Sequence, residues 1–196
     1  MRVRALPILA SAALLSLAVP SHAAAGSKTL FFANEGSSST SSCTPAYVLD
    51  KAATGDPCSS IRAGVAGNGL LGSDTFSSVK KAVGFTLSSN KPLTGVIYVA
   101  TYPPFSGTAV NTLPGPVAVT VTVTINGVDL DPIKASGQAA APNTDVVIPV
   151  SASIPAKLNK AVVKSVDVAV SYDTAAGITG VDYSSSNSSK LVFPTA

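Results

Sequence analysis

Tryptophan is absent from this chain of 196 residues, histidine occurs once, as His22, and glutamate once, as Glu35. Charge is also scarce, at 12% of residues where roughly a quarter is ordinary. The only long apolar run lies at the beginning. Arg2 and Arg4 precede it, it extends from Ala5 to Val19, and the small residues Ser21, Ala23 and Ala25 follow. That order is that of a secretory signal peptide, so residues 1–25 are expected to be removed and residues 26–196 to form a single domain. The run is too short for a membrane span, which needs about 20 apolar residues, and no later run approaches that length. The mature chain is therefore expected to be secreted, extracellular and without a transmembrane segment.

These shortages exclude whole classes of chemistry. His22 leaves with the signal, and without imidazole no Ser-His-Asp triad can form. Two arginines leave with it, so 11 basic residues face 10 acidic ones, a net charge of +1 instead of +3. Such a balance gives no basic footprint for nucleic acid. Two cysteines, Cys43 and Cys58, are too few for a metal site. In an exported chain they are expected to pair as a disulfide closing a 16-residue loop.

What is present is β pattern. Val117, Val119, Val121, Val123 and Ile125 alternate with Ala118, Thr120, Thr122 and Thr124, the period of a strand with one face in the core and one in water. Asn126-Gly127 supplies the two positive φ angles of a type I′ turn, so Val128 to Lys134 is expected to return as a hairpin. Further strands are expected at Lys28–Ala33, Val79–Leu87, Leu93–Tyr102, Asp145–Val150, Val162–Tyr172 and Leu191–Phe193, separated by Gly, Pro, Asn and Ser clusters. No window carries a capped helical period, although Pro155–Lys164 has room for a turn or two. About eight strands in 171 residues predict an all-β fold, an antiparallel β-sandwich or jelly roll.

Four constellations could carry function. Ser77-Ser78-Val79-Lys80-Lys81 contains S-x-x-K twice, but on a strand residues three apart face opposite sides, so serine and lysine would not meet. Asp129 and Asp131 could share a face as an acid pair, yet no aromatic subsite adjoins them. Calcium needs only oxygen ligands, and Asp50, Asp56, Asp129 and Asp131, with Asp173 and Asp182, fall at strand ends or in loops from which they could converge. Turn-forming aspartates such as Asp56-Pro57 and Asp131-Pro132 account for the same pattern. Last, Tyr98, Tyr102, Phe105, Tyr172 and Tyr183 could stack on a sugar or dock a partner, with Tyr102-Pro103-Pro104-Phe105 placing two rings around a rigid diproline; the same rings could instead seal the end of a sandwich.

Between residues 28 and 102, the strand Lys28-Thr29-Leu30-Phe31-Phe32, the segment Leu49-Asp50 with Ala53-Thr54-Gly55, and Lys91-Pro92-Leu93-Thr94-Gly95-Val96 resemble the jelly-roll, galactose-binding-like accessory modules of secreted bacterial hydrolases. The resemblance implies a sandwich fold and a role in substrate or surface attachment. The expectation is a secreted, non-catalytic binding module for carbohydrate or a cell-surface polymer, needing no cofactor unless calcium. The alternative is a structural or adhesion protein of the cell envelope whose partner is a surface protein. A hydrolase is the third and weakest reading.

Overall fold

The computed structural model describes residues 26–35, 37–38, 43–44, 47–53, 72–102, 115–139, 145–174, 178–181 and 188–196. Among them are thirteen strands: β1 Ser27–Asn34, β2 Ser37–Ser38, β3 Cys43–Thr44, β4 Tyr47–Asp50, β5 Gly72–Ser78, β6 Leu93–Tyr102, β7 Gly115–Ile125, β8 Val128–Asp129, β9 Ile133–Ala139, β10 Asp145–Ala152, β11 Val166–Thr174, β12 Ile178–Val181 and β13 Lys190–Pro194. Eight of these are five residues or longer, and no α-helix occurs among the described residues. The fold is an all-β sandwich, as the alternating pattern predicts.

One sheet runs in the order β10-β6-β13-β1-β4-β5-β11-β7-β8, with β9 also on β7 and β12 also on β6. Every pairing in it is antiparallel except β4 with β5, a parallel contact of two residue pairs, Val48 with Ser77 and Leu49 with Ser78. The sheet curls until its ends meet. A Cβ on Gly137 of β9 would collide with Val146 of β10, so the two strands pack against each other through side chains. Inside lie the inward rows of both walls, from Leu30, Phe32 and Phe193 on one to Val121, Val168 and Tyr172 on the other. Phe76 meets Phe32 edge-on, with ring centroids 4.7 Å apart.

The hairpin at Asn126-Gly127 forms as the sequence predicts, with φ of 51° and 77°. The Asn126 side chain also accepts from the N–H of Lys164 at 2.7 Å and donates to the Val162 carbonyl at 2.9 Å. The return strand is not continuous. Thr124 faces Asp129, but Val121 faces Ile133, so the return strand carries one extra residue. Asp131-Pro132 sits at that bulge, where a proline removes no ladder donor.

Three segments depart from expectation. Val79–Leu87 is not a strand: Lys80–Ala82 forms a 3-10 turn, and Gly84 takes φ of +99°, a conformation that interrupts a ladder. The residues beyond it bond instead to 160–163, Val163 N–H to the Phe85 carbonyl and Leu87 N–H to the Ala161 carbonyl. Tyr47–Asp50 is β4 and Gly72–Ser78 is a full strand, neither of them among the expected strands. Within Pro155–Lys164 the helical part is one short turn, Ala156–Leu158.

Candidate functional site

Antiparallel register and the period of two divide the outward side chains into two surfaces. On β9, β7, β11 and β5 the outward rows are mostly hydroxyls and alanines, with Lys134, Asp167 and Gln138 among them. One rung runs Ser73, Ser171, Thr120, Lys134, and the next along the strands holds Thr75, Ala169 and Thr122. A shallow, open depression of about 590 Å³ lies over Ala118, Thr120, Lys134, Ser136 and Ser171. The rung beside the hairpin turn is hydrogen-bonded internally: Ser77 donates to Asp167 at 2.6 Å and Thr124 donates to Asp129 at 2.6 Å.

On the other wall the outward rows mix apolar residues with Thr29, Thr94, Ser151, Asp145 and Lys190. One rung runs Phe31, Lys190, Val96, Pro149 across β1, β13, β6 and β10. The next carries Tyr98 opposite Val147, which is 47% exposed. Phe31, Tyr98, Lys190 and Val192 are half-buried. The Lys190 ammonium lies 6.0 Å from the centre of the Phe31 ring, the outer range of a cation–π contact. Beneath Tyr98 the long strand β6 changes neighbour, from β13 to β12. Ser189 fills the step: it is fully buried, its hydroxyl accepts from the Tyr98 N–H at 2.9 Å, and its carbonyl accepts from the Phe32 N–H at 2.9 Å. Tyr98 is thereby fixed on a backbone anchored at two strands.

The residues singled out in the sequence scatter over these surfaces. Tyr98 alone of the five aromatics has a described side chain on an outward face. Tyr172 is fully buried and its hydroxyl donates to Asp74 at 3.3 Å; the row Val166, Val168, Val170, Tyr172 points into the core, so this ring is structural. Tyr102 ends β6, opposite Ile178. Its side chain, together with Phe105 and Tyr183, lies outside the described residues, as do Asp56, Asp182 and Cys58, and with Cys58 the Cys43–Cys58 bond. Phe31 and Lys190 were not among the expected site residues. The signal available was that Leu30-Phe31-Phe32 is apolar on both faces of one strand.

Among the described residues the candidate aspartates do not converge. Asp50, on β4, is separated from Asp129 by three intervening strands, and Asp131 is exposed at the bulge. Asp50 is 2% exposed on its side chain and bonds Lys81 Nζ at 2.8 Å, which also reaches Glu35 at 3.2 Å. Burial pushes the Asp50 pKa up, but the hydrogen bonds from Lys81 and the Lys51 N–H, with the Lys81 charge, more than offset it and hold the carboxyl below its usual value. Lys81 is raised by its bonds to Asp50 and then Glu35. The S-x-x-K residues are likewise apart, since Ser78 accepts from the Val166 N–H while Lys81 turns to the carboxylates. Among the described residues no group of three acids, histidines or cysteines is placed to hold a metal ion, and no helix is long and apolar enough to cross a membrane. No protein-family model matches the chain, and no curated protein is significantly similar to it.

Proposed function

We propose that this protein is a secreted, non-catalytic binding module that holds a carbohydrate polymer of a cell surface or matrix on the outer face of β10, β6, β13 and β1. The observation that carries the reading is the placement of Phe31 and Tyr98 on one side of that wall. Aromatic faces stack on the C–H faces of sugar rings, and both rings are held by regular strands that need no rearrangement to bind. The resemblance to accessory modules of secreted hydrolases supports the same role. The non-catalytic part rests on the engagement of the reactive side chains: Ser77, Thr124, Lys81 and Asp50 each have a structural partner. Export rests on the leader-like order of residues 1–25.

Affinity electrophoresis of the purified protein through gels containing plant, fungal and bacterial polysaccharides tests the reading. At least one polymer should retard it, and Tyr98→Ala or Phe31→Ala should each weaken that retardation about tenfold while leaving the melting temperature within a few degrees. Retardation by no polymer, with a concentration-dependent oligomer in its place, would overturn the reading in favour of an envelope interaction protein.

A further inference from the structure

We infer that the polymer bound on this wall is acidic, a polysaccharide carrying carboxylate groups, and that Lys190 is the residue that selects it. This rests on the binding role proposed above and adds the ligand's charge.

The argument starts from where Lys190 stands. Register places it directly beside Phe31 on one side and Val96 on the other, with Tyr98 on the diagonal position of the next strand. Directly opposed residues on adjacent strands have Cβ atoms about 5 Å apart and diagonal ones about 7–8 Å. Phe31, two strands from Tyr98 and one outward position along, therefore lies roughly 12 Å from it. Positions at that separation bracket about two sugar units, and Lys190 stands on the strand between them.

Charge makes the selection. Among the described residues Lys190 has no carboxylate within ion-pair distance. Three acids lie on or beside the outward side of the wall. Asp50, which is buried, and Glu35 are both held by Lys81, and Asp145 stands at the start of β10, beyond Tyr98 and Val147. The Phe31 ring and the flanking Val96, Val192 and Pro149 limit water around the lysine stem, and an ammonium partly stripped of water gains more from an anion than an exposed one does. A neutral sugar would stack on the rings and leave that charge without a partner; a uronic acid would stack and supply one.

Polygalacturonate and its fully methyl-esterified form differ in charge and share a backbone, so they isolate the effect. The purified protein should bind polygalacturonate at least tenfold more tightly than the ester in 50 mM salt, and the gap should close as salt is raised to 500 mM. Lys190→Gln should remove the tenfold preference, and Lys190→Arg should keep it. Equal binding of the two polymers, retention of a neutral glucan but of neither pectin, or a Lys190→Gln protein that still prefers the acid would each overturn the assignment and leave the binding role standing. Failure to bind any polymer, with Phe31→Ala and Tyr98→Ala equally inert, would overturn both.

Discussion

Over β9, β7, β11 and β5 the outward positions are mostly threonine, serine and alanine, with Lys134, Gln138, Asp167 and Pro116 among them, whereas over β10, β6, β13 and β1 valine, tyrosine, phenylalanine and proline stand among Thr29, Thr94, Ser151 and Asp145, with a single lysine. Both surfaces belong to one curled sheet and cover the same core. The inward rows already supply that core; on the outward side of the second wall Val96 is also buried, whereas Val147 and Pro149 are exposed and Phe31, Tyr98 and Val192 half-buried. Apolar side chains left partly in water cost solubility. The hydroxyl wall shows what this fold uses when a strand surface has only to be wet: β-branched and small side chains that keep the strand extended and solvate it. Against that background the rings of the other wall call for a ligand.

Swapping chemistry between the walls gives the largest effect. The double variant Phe31→Ala/Tyr98→Ala should lose polymer affinity about a hundredfold, at roughly 1.4 kcal/mol per ring, whereas Thr120→Ala/Thr122→Ala should change it less than twofold. Equal losses in an affinity titration would end the distinction between the faces.

The seam that joins the walls comes next. Gly137→Val forces a side chain into the space held by Val146 and should cost about 1–3 kcal/mol, the range for overpacking, read as a lower midpoint in urea. Tyr172→Phe removes a donor from the buried Asp74 carboxylate and should cost about 1 kcal/mol without altering polymer binding, because that ring belongs to neither face. A smaller effect is expected from pH. The Asp50 pKa is lowered in the fold, so its stabilisation is present above the unfolded value near 3.8 and lost as pH falls through the folded one. Lys81 is raised, so its share persists below 10.5 and is lost as pH climbs past the folded value. Lys81→Met should therefore lower the melting temperature most between those limits and move acid unfolding to higher pH. Thr122→Val, at the foot of the scale, should shift stability by no more than about 0.5 kcal/mol.

The parts of this fold that were legible are those where one local rule decides. Alternation from Val117 to Ile125 and the Asn126-Gly127 turn fix a hairpin whatever surrounds it. The β10 row Val146, Ile148, Val150, Ala152 reads just as plainly. Where tertiary context decides, the reading slipped. Gly72–Ser78 turns Asp74 and Phe76 inward amid serines, too dilute a pattern to stand out, and it is a strand because β11 offers it a partner on one side and β4 on the other. Val79–Leu87 has the right residues for a strand, but Gly84 and the pull of Asp50 on Lys81 bend it away. The site was half legible for a related reason. Aromatic residues can be counted in a sequence, yet which side of a strand is outside depends on register. That sent Tyr172 inward and brought Phe31 out.

The parallel contact between β4 and β5 has a further consequence. On that side the strand ladder between the walls is two residue pairs, with residues 84–88 bonding to 160–163 and 194–196 beside it, and on the other side, where Gly137 meets Val146, no strand pairing links the described residues. Each wall is a well-hydrogen-bonded plate, and the lines between plates are thin. In amide exchange the molecule should behave as two slow blocks divided by two fast borders, the hydroxyl plate and the aromatic plate each keeping its protons while Leu49 and Ser78 give theirs up first. Such a body can flex about its borders while the proposed binding wall keeps its shape.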